Sequence, residues 1–188
     1  MANLMEEVLL LSRVEAGKLT LDPQALDLPG LCRRLVDEVL SATNRRCPIE
    51  LTVDTEVGEA FLDERLLRHI LTNLLTNAVK YSQEGAPVKF LVARLATRVR
   101  FEVMDTGIGI PEDDQKWLFN AFQRGRNVGN IPGTGLGLVI VKRCVELHRG
   151  AIRIHSAAGQ GTRVEVDVPL ALAALEAKSQ DTTFMIAS

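Results

Sequence analysis

His69-Ile70-Leu71-Thr72-Asn73-Leu74-Leu75-Thr76-Asn77-Ala78-Val79-Lys80-Tyr81 reads as a helix with two different faces. Residues 69, 73, 77 and 81 are four apart and stack on one side of it. Ile70, Leu74, Leu75 and Ala78 make the other side apolar, suited to packing on a sheet. Asn is a mediocre helix former, because its side chain competes for backbone groups. Two of them in mid-helix, aligned with Lys80 and Tyr81, therefore ask for a reason. A solvated face would account for one Asn but suits the whole stripe poorly. A stripe facing an anion and a metal accounts for all of it: an Asn carbonyl oxygen can ligate Mg²⁺, and a Lys ammonium can neutralise phosphate.

The flanking segments define the fold class. Asp63 sits where an N-cap belongs, opening the long helix that ends near Tyr81. Before it come a helix over 28–42, an alternating strand over 49–54 and a short strand over 60–62. Earlier still, the pattern predicts a helix over 3–16 stopped by Gly17, then an extended piece over 19–21 ended by Pro23. That first helix starts with no evident cap, as the cut end of something longer would. After the long helix, 88–95 and 98–104 read as a hairpin turning at Ala96-Thr97. A helix runs from Pro111 through Phe119, a Gly-rich loop spans 125–137, and a helix covers 138–147 with Gly150 beyond it. A second hairpin, 151–156 and 162–168, turns at Gly159-Gln160-Gly161. From Leu170 the pattern dissolves into a tail or linker. Helices and hairpins interleave without strand-helix-strand alternation. The expectation is an α+β fold, a two-layer α/β sandwich whose mixed sheet is covered by helices on one face.

Three further segments carry chemistry. Asp105-Thr106-Gly107-Ile108-Gly109-Ile110-Pro111 follows a strand. A carboxylate there can accept the exocyclic amine of adenine and would select against guanine, which presents a carbonyl; a plain turn explains the segment equally well. Gly133-Thr134-Gly135-Leu136-Gly137-Leu138 opens a helix, and its backbone N–H groups form an anion cradle. It is not a Walker loop, since no Gly-Lys-Ser/Thr follows, and its spacing fails the dinucleotide fingerprint. Between the two lie Phe119, Phe122, Arg124, Arg126, Asn127, Gly129 and Asn130, a basic stretch with the makings of a lid over phosphates. The phenylalanines fit ordinary core packing as well.

Composition sets the outer bounds. A net charge of −2 gives no reason to expect nucleic acid or a membrane surface as partner. No apolar run approaches the roughly 20 residues that span a bilayer, and the first residues lack the layout of a secretory signal. Cys32, Cys47 and Cys144 are widely spaced and show no metal spacing. They read as reduced thiols in a cytoplasmic setting.

In this order the segments resemble the histidine-kinase branch of the GHKL ATPase/kinase superfamily. Asn73–Ser82 is similar to its N box, Asp105–Gly109 to its G1 box, Phe119–Phe122 to its F box and Gly133–Leu138 to its G2 box. Gly159-Gln160-Gly161-Thr162 resembles its last Gly-x-Gly-Thr turn, so the likeness covers about residues 50–168. Residues 9–19 resemble the end of the second helix of the family's dimerisation and phosphotransfer domain. The resemblance implies a Bergerat-type fold with ATP and Mg²⁺ as cofactors. It makes Asn77 the Mg²⁺ ligand, places Asn73 by the phosphates, sets Lys80 on phosphate and packs Tyr81 on the nucleotide. Asp105 would read the adenine amine with Thr162 in support, bordered by Gly107, Gly109 and Ile110. Gly133, Thr134, Gly135, Leu136, Gly137 and Leu138 would hold the triphosphate beneath a lid carrying Phe122, and Arg124 would align the γ-phosphate. His69 would be structural or one shell removed.

On this reading residues 1–18 end the second dimerisation helix, and 19–48 supply a linker strand and the first helix of the ATP-binding domain. Residues 49–169 are the catalytic core, and 170–188 a tail or linker. The partners implied are ATP or ADP, the dimerisation and histidine phosphotransfer domain of the same kinase and, indirectly, a response-regulator receiver domain. Neither His69, His148 nor His155 lies in the family's His-Glu/Asp-x-Arg/Lys-x-Pro box. The chain alone is therefore expected to be monomeric, to bind ATP and not to autophosphorylate. Within the superfamily, ATP hydrolases of the gyrase or mismatch-repair type place a Glu as general base where this chain has Asn73. A serine kinase of the anti-sigma-factor kind and a nucleotide-binding regulatory module without chemistry are the alternative functions.

Overall fold

The computed structural model describes residues 2–16, 18–129 and 131–170. In chain order it contains helix α1 (Ala2–Glu15), strand β1 (Gln24–Asp27), α2 (Leu28–Ala42), β2 (Ile49–Val53), β3 (Glu59–Leu62) and α3 (Glu64–Tyr81). There follow β4 (Val88–Leu95), β5 (Arg98–Asp105), the short α4 (Glu112–Gln115), α5 (Gly137–Leu147), β6 (Ala151–Ser156) and β7 (Thr162–Pro169). The expected stop at Gly17 and the expected tail from 171 onward lie outside the described residues.

Five strands form one mixed sheet in the order β2-β4-β5-β7-β6. β2 pairs parallel with β4, and every other pair is antiparallel. The strands alternate as their sequences dictate. Val99, Phe101 and Val103 of β5 and Val164, Val166 and Val168 of β7 are buried, facing the helices. Arg100, Glu102, Arg153, Arg163, Glu165 and Asp167 take the opposite face and pair across strands. Arg100 binds Asp167 through two nitrogens at 2.7 and 2.9 Å, and Arg163 binds Glu102 at 3.0 Å. The Arg100 hydrogen bonds hold the Asp167 carboxyl below the usual range. The charges on this face pair with one another, which leaves α2, α3 and α5 to cover the apolar face, as the sequence predicts.

Asp63 caps α3 by accepting from Leu66 N at 3.1 Å, and Asp27 caps α2 by accepting from Gly30 N at 3.1 Å. Leu66, Leu67, Ile70, Leu71, Leu74 and Leu75 then run along the buried side of α3. Each such side chain contributes about 1.5–3 kcal/mol on full burial. With that side committed to the core, the Asn stripe necessarily looks outward.

Two elements differ from expectation. The early strand lies at 24–27 instead of 19–21: it begins just after Pro23 and pairs antiparallel with β3, Gln24 opposite Leu62. Pro23 thus sits at the strand's start, where a missing N–H matters least. The helix expected from Pro111 through Phe119 stops at Gln115. Beyond it Leu118 N bonds Gln115 O and Asn120 N bonds Trp117 O, so the segment continues as i→i+3 turns.

All three cysteines are buried and none is in a disulfide. Burial pushes the thiols of Cys32 and Cys144 up to about 12, so they stay protonated and inert at neutral pH. His148, at the end of α5, is fully buried, with Nδ1 2.8 Å from Cys144 O and no hydrogen-bond partner for Nε2. Burial lowers its pKa. The folded state therefore binds this proton less readily than the unfolded chain, whose His titrates near ~6.5. Stability from this group is complete above that pH and falls as the pH drops below it toward the folded value. We expect the urea midpoint to fall between pH 7 and pH 5, and the fall to shrink in His148→Gln. An equal fall in the variant would assign the acid sensitivity elsewhere.

Candidate functional site

One cleft of about 670 Å³ opens between the exposed side of α3, the loop after β5 and the segment leading into α5. Asn73, Asn77, Lys80 and Tyr81 form its floor, as the four-residue spacing requires. The Asn73 amide donates to His69 O at 2.9 Å, one turn back on its own helix. This fixes which way the amide points and leaves Oδ1 as the outward-facing acceptor. The first turn of α5 lies directly over it: a Cβ added to Gly137 would fall 2.6 Å from Asn73 Oδ1. A Cβ at Gly133 would likewise fall 2.7 Å from Lys80 Nζ, which also sits 4.7 Å from the centre of the Tyr81 ring. Glycine at 137 leaves room for the Asn73 amide, which its bond to His69 O holds in place, whereas at 133 the near neighbour is the movable end of Lys80.

Asp105 ends β5 opposite Thr162, the first residue of β7. Its Oδ1 accepts from Gly107 N at 2.8 Å. Burial pushes its carboxyl above the usual range, against the opposing pull of the backbone donors of Gly107 and Thr162. A partly desolvated carboxylate of this kind is an acceptor in want of a donor. Behind it, Ser156 Oγ accepts from Ile110 N at 2.9 Å and donates to Gly161 O at 2.8 Å. Ser156 Oγ also lies 3.0 Å from Thr162 Oγ1. Gln115 Nε2 donates to Ile110 O and Ser156 O at 3.2 and 2.9 Å. The loop of 105–110 is thus held from its far side, leaving its near side open to the cleft.

The helix α5 begins at Gly137 after Leu136, and no side chain caps it. Its first-turn N–H groups have no partner within the helix, the usual makings of an anion site. The lid segment before it is fastened at its root. Arg126 N and Nε donate to the Asp114 carboxylate at 2.8 and 2.9 Å, and Asn127 Nδ2 donates to Gly109 O at 2.9 Å. Arg124 lines the cleft and hydrogen-bonds Ile131 O.

The structure brings together nearly every residue that the sequence singles out. Asn73, Asn77, Lys80, Tyr81, Asp105, Gly109, Ile110, Arg124, Gly133, Thr134, Gly135, Gly137, Leu138 and Thr162 all border the cleft. Three do not. Gly107 is buried behind the wall against Tyr81 O, Leu136 is fully buried in the core, and Phe122 is 67% exposed. Sequence reasoning missed Ser156, Gln115 and Asp114, which act through hydrogen bonds to backbone. It also missed Glu7, Glu38 and Arg68 at the mouth of the cleft, with Arg68 Nη1 2.6 Å from Glu38 Oε2. No local pattern marks them: Glu7 and Glu38 come from distant helices, and Arg68, although on α3 itself, lies outside the Asn stripe and pairs with Glu38 of α2.

Residues 62–172 match the family described as histidine kinase-, DNA gyrase B-, and HSP90-like ATPase. The circadian input-output histidine kinase CikA of Synechococcus elongatus is 39% identical over 176 residues, covering 89% of this chain and 23% of CikA. The chain therefore spans about a quarter of that relative's length. Full-length ShkA in complex with AMPPNP superposes with a TM-score of 0.78 at 31% identity, over 91% of this chain and 36% of that one. The mycobacterial sensor histidine kinase MprB gives a TM-score of 0.69 at 28% identity, over 78% of this chain and 97% of that one. With its sheet, its Asn-lined helix and its Gly-rich loop closing one cleft, the chain belongs to the histidine kinase-, DNA gyrase B- and HSP90-like ATPases, on the histidine-kinase side of that family.

Proposed function

We propose that this chain is the catalytic module of a sensor histidine kinase, which binds ATP with Mg²⁺ and delivers the γ-phosphate to a histidine on a dimerisation domain. The observation that carries this reading is the convergence of Asn73, Asn77 and Lys80, Asp105, and the uncapped start of α5 on one cleft. Adenine would lie at the Asp105 end, its amine donating to the carboxylate. The triphosphate would run along the Lys80 side toward the Gly-rich loop, and AMPPNP in the similar ShkA supports a nucleotide in this fold.

The donor set fits Mg²⁺. Among the described residues no group of three or more His, Cys, Asp or Glu side chains could hold a metal alone. A cation here would take few protein ligands, with Asn77 supplying an amide oxygen and phosphate and water the rest, which is how Mg²⁺ is commonly held. When bound it would neutralise charge on the phosphates. Lys80 holds the phosphate chain from the floor, Arg124 meets its end from the lid, and the α5 amides orient it for in-line transfer.

Asn73 stands where water activation would need a general base, and an amide cannot take a proton. The expected result is intrinsic ATP hydrolysis well below about one turnover per second, measured by phosphate release from the purified chain. Turnover of several per second without a partner would sink the kinase reading. The positive test supplies the dimerisation helix pair in trans with γ-labelled ATP. Acid-labile, base-stable label on its histidine is expected. Tight ATP binding with no label on that histidine would contradict the proposal.

A further inference from the structure

The phosphate end of the cleft contains an acid that the reaction does not call for. Glu7 of α1 reaches across 127 residues of sequence, and its Oε2 accepts from Thr134 Oγ1 at 2.8 Å. Glu7 and its neighbour Leu10 border the cleft together with Asn73, Gly135 and Gly137. Thr134 Oγ1 in turn accepts from Leu136 N at 3.2 Å, so the Glu7 carboxylate is bonded into the loop that turns into α5. No side chain caps the helix that follows, and the first-turn N–H groups of such a helix attract anions.

We infer that Glu7 acts as an internal stand-in for phosphate. Its carboxylate and the nucleotide's triphosphate compete for the Gly-rich loop, and ATP binding displaces α1 from Thr134. The chemistry supports competition over cooperation. A carboxylate and a phosphate are both acceptors and both negative, so Thr134 cannot serve both. At separations of a few ångström in a partly enclosed cleft the two charges repel. Because the exchange is reciprocal, whatever draws α1 off the loop raises ATP affinity, and ATP raises the freedom of α1 by the same factor. The contact therefore couples the disposition of the leading helix to loading of the site. This inference rests on the nucleotide reading above.

Titration calorimetry of the 188-residue chain and its Glu7→Ala and Glu7→Gln variants, with ATP and with adenosine, tests it. Glu7→Gln keeps the length and an acceptor oxygen but removes the charge; Glu7→Ala removes both. Both variants are expected to bind ATP about three- to tenfold more tightly, with less gain at high salt. Adenosine, which has no phosphate, should bind all three proteins alike. ATP affinity that is unchanged or weaker in either variant overturns the inference; weakening only with Mg²⁺ present would mean that Glu7 assists the cation. An equal gain for adenosine also overturns it, since it would reflect general loosening. ATP binding by the unaltered chain reports separately on the nucleotide reading. No binding by any of the three sinks both readings, while binding indifferent to residue 7 sinks this one alone.

Discussion

Asp105→Asn is expected to weaken ATP binding between roughly tenfold and a hundredfold, while the empty protein becomes no less stable. The loss corresponds to a hydrogen bond to a charged group, about 1.5–3 kcal/mol. It is sharpened because an amide NH₂ can turn a donor toward the adenine amine, itself a donor. The stability half of the prediction follows from the raised carboxyl. A carboxylate whose folded pKa lies above its unfolded value contributes most below the unfolded pKa, and that contribution is lost as pH rises through the folded pKa. At neutral pH the folded state therefore bears the full penalty of a partly buried charge. Asn removes the charge and can still accept from Gly107 N, the 2.8 Å bond that shapes the turn. Thermal unfolding of the empty variant should give an equal or higher midpoint, and calorimetry should show the lost affinity. A variant that binds ATP normally would remove Asp105 from the site; one that simply unfolds would make it structural.

Phe101→Ala is expected to destabilise the fold by about 3–5 kcal/mol. Phe101 is fully buried in β5, in register with Val92 of β4 and Val166 of β7. Strands on both sides fix the backbone, so the structure cannot collapse onto the space the ring leaves. In a domain of this size the change lowers the thermal midpoint by roughly 6–20 °C. Urea unfolding gives the energy directly. Glu50→Ala, on the exposed side of β2, is the control and should stay within about 0.5 kcal/mol. A loss below about 1 kcal/mol for Phe101→Ala would mean that the sheet's inner face is less tightly packed than the burial implies.

What the sequence disclosed was what short-range chemistry encodes. The cap at Asp63 and the period of Ile70, Leu74 and Leu75 specify α3 and hence the outward Asn stripe. Alternation along 98–105 and 162–169 specifies which face of each strand is buried. The strand at 24–27 is not legible in the sequence because its pairing depends on β3, more than thirty residues away, and four residues are too few to show alternation. The helix after Pro111 is shorter than its sequence suggests because the backbone bonds beyond Gln115 become i→i+3, a change that no side-chain pattern over 111–119 announces. The binding residues were recognisable because glycines, asparagines and an aspartate recur at fixed spacings. Residues that support them, such as Ser156 and Gln115, act on backbone carbonyls and amides that any sequence possesses, so they leave no pattern to read. The Glu7–Thr134 bond is the extreme case, joining the first helix to a loop near the other end of the chain.

The measurement that bears most directly on the central claim is calorimetric titration of the purified chain with ATP and with GTP, each with and without Mg²⁺. The account predicts binding of ATP, strengthened by Mg²⁺, and no comparable binding of GTP, whose carbonyl would face the Asp105 carboxylate. Equal binding of both nucleotides, or binding of neither, would contradict it.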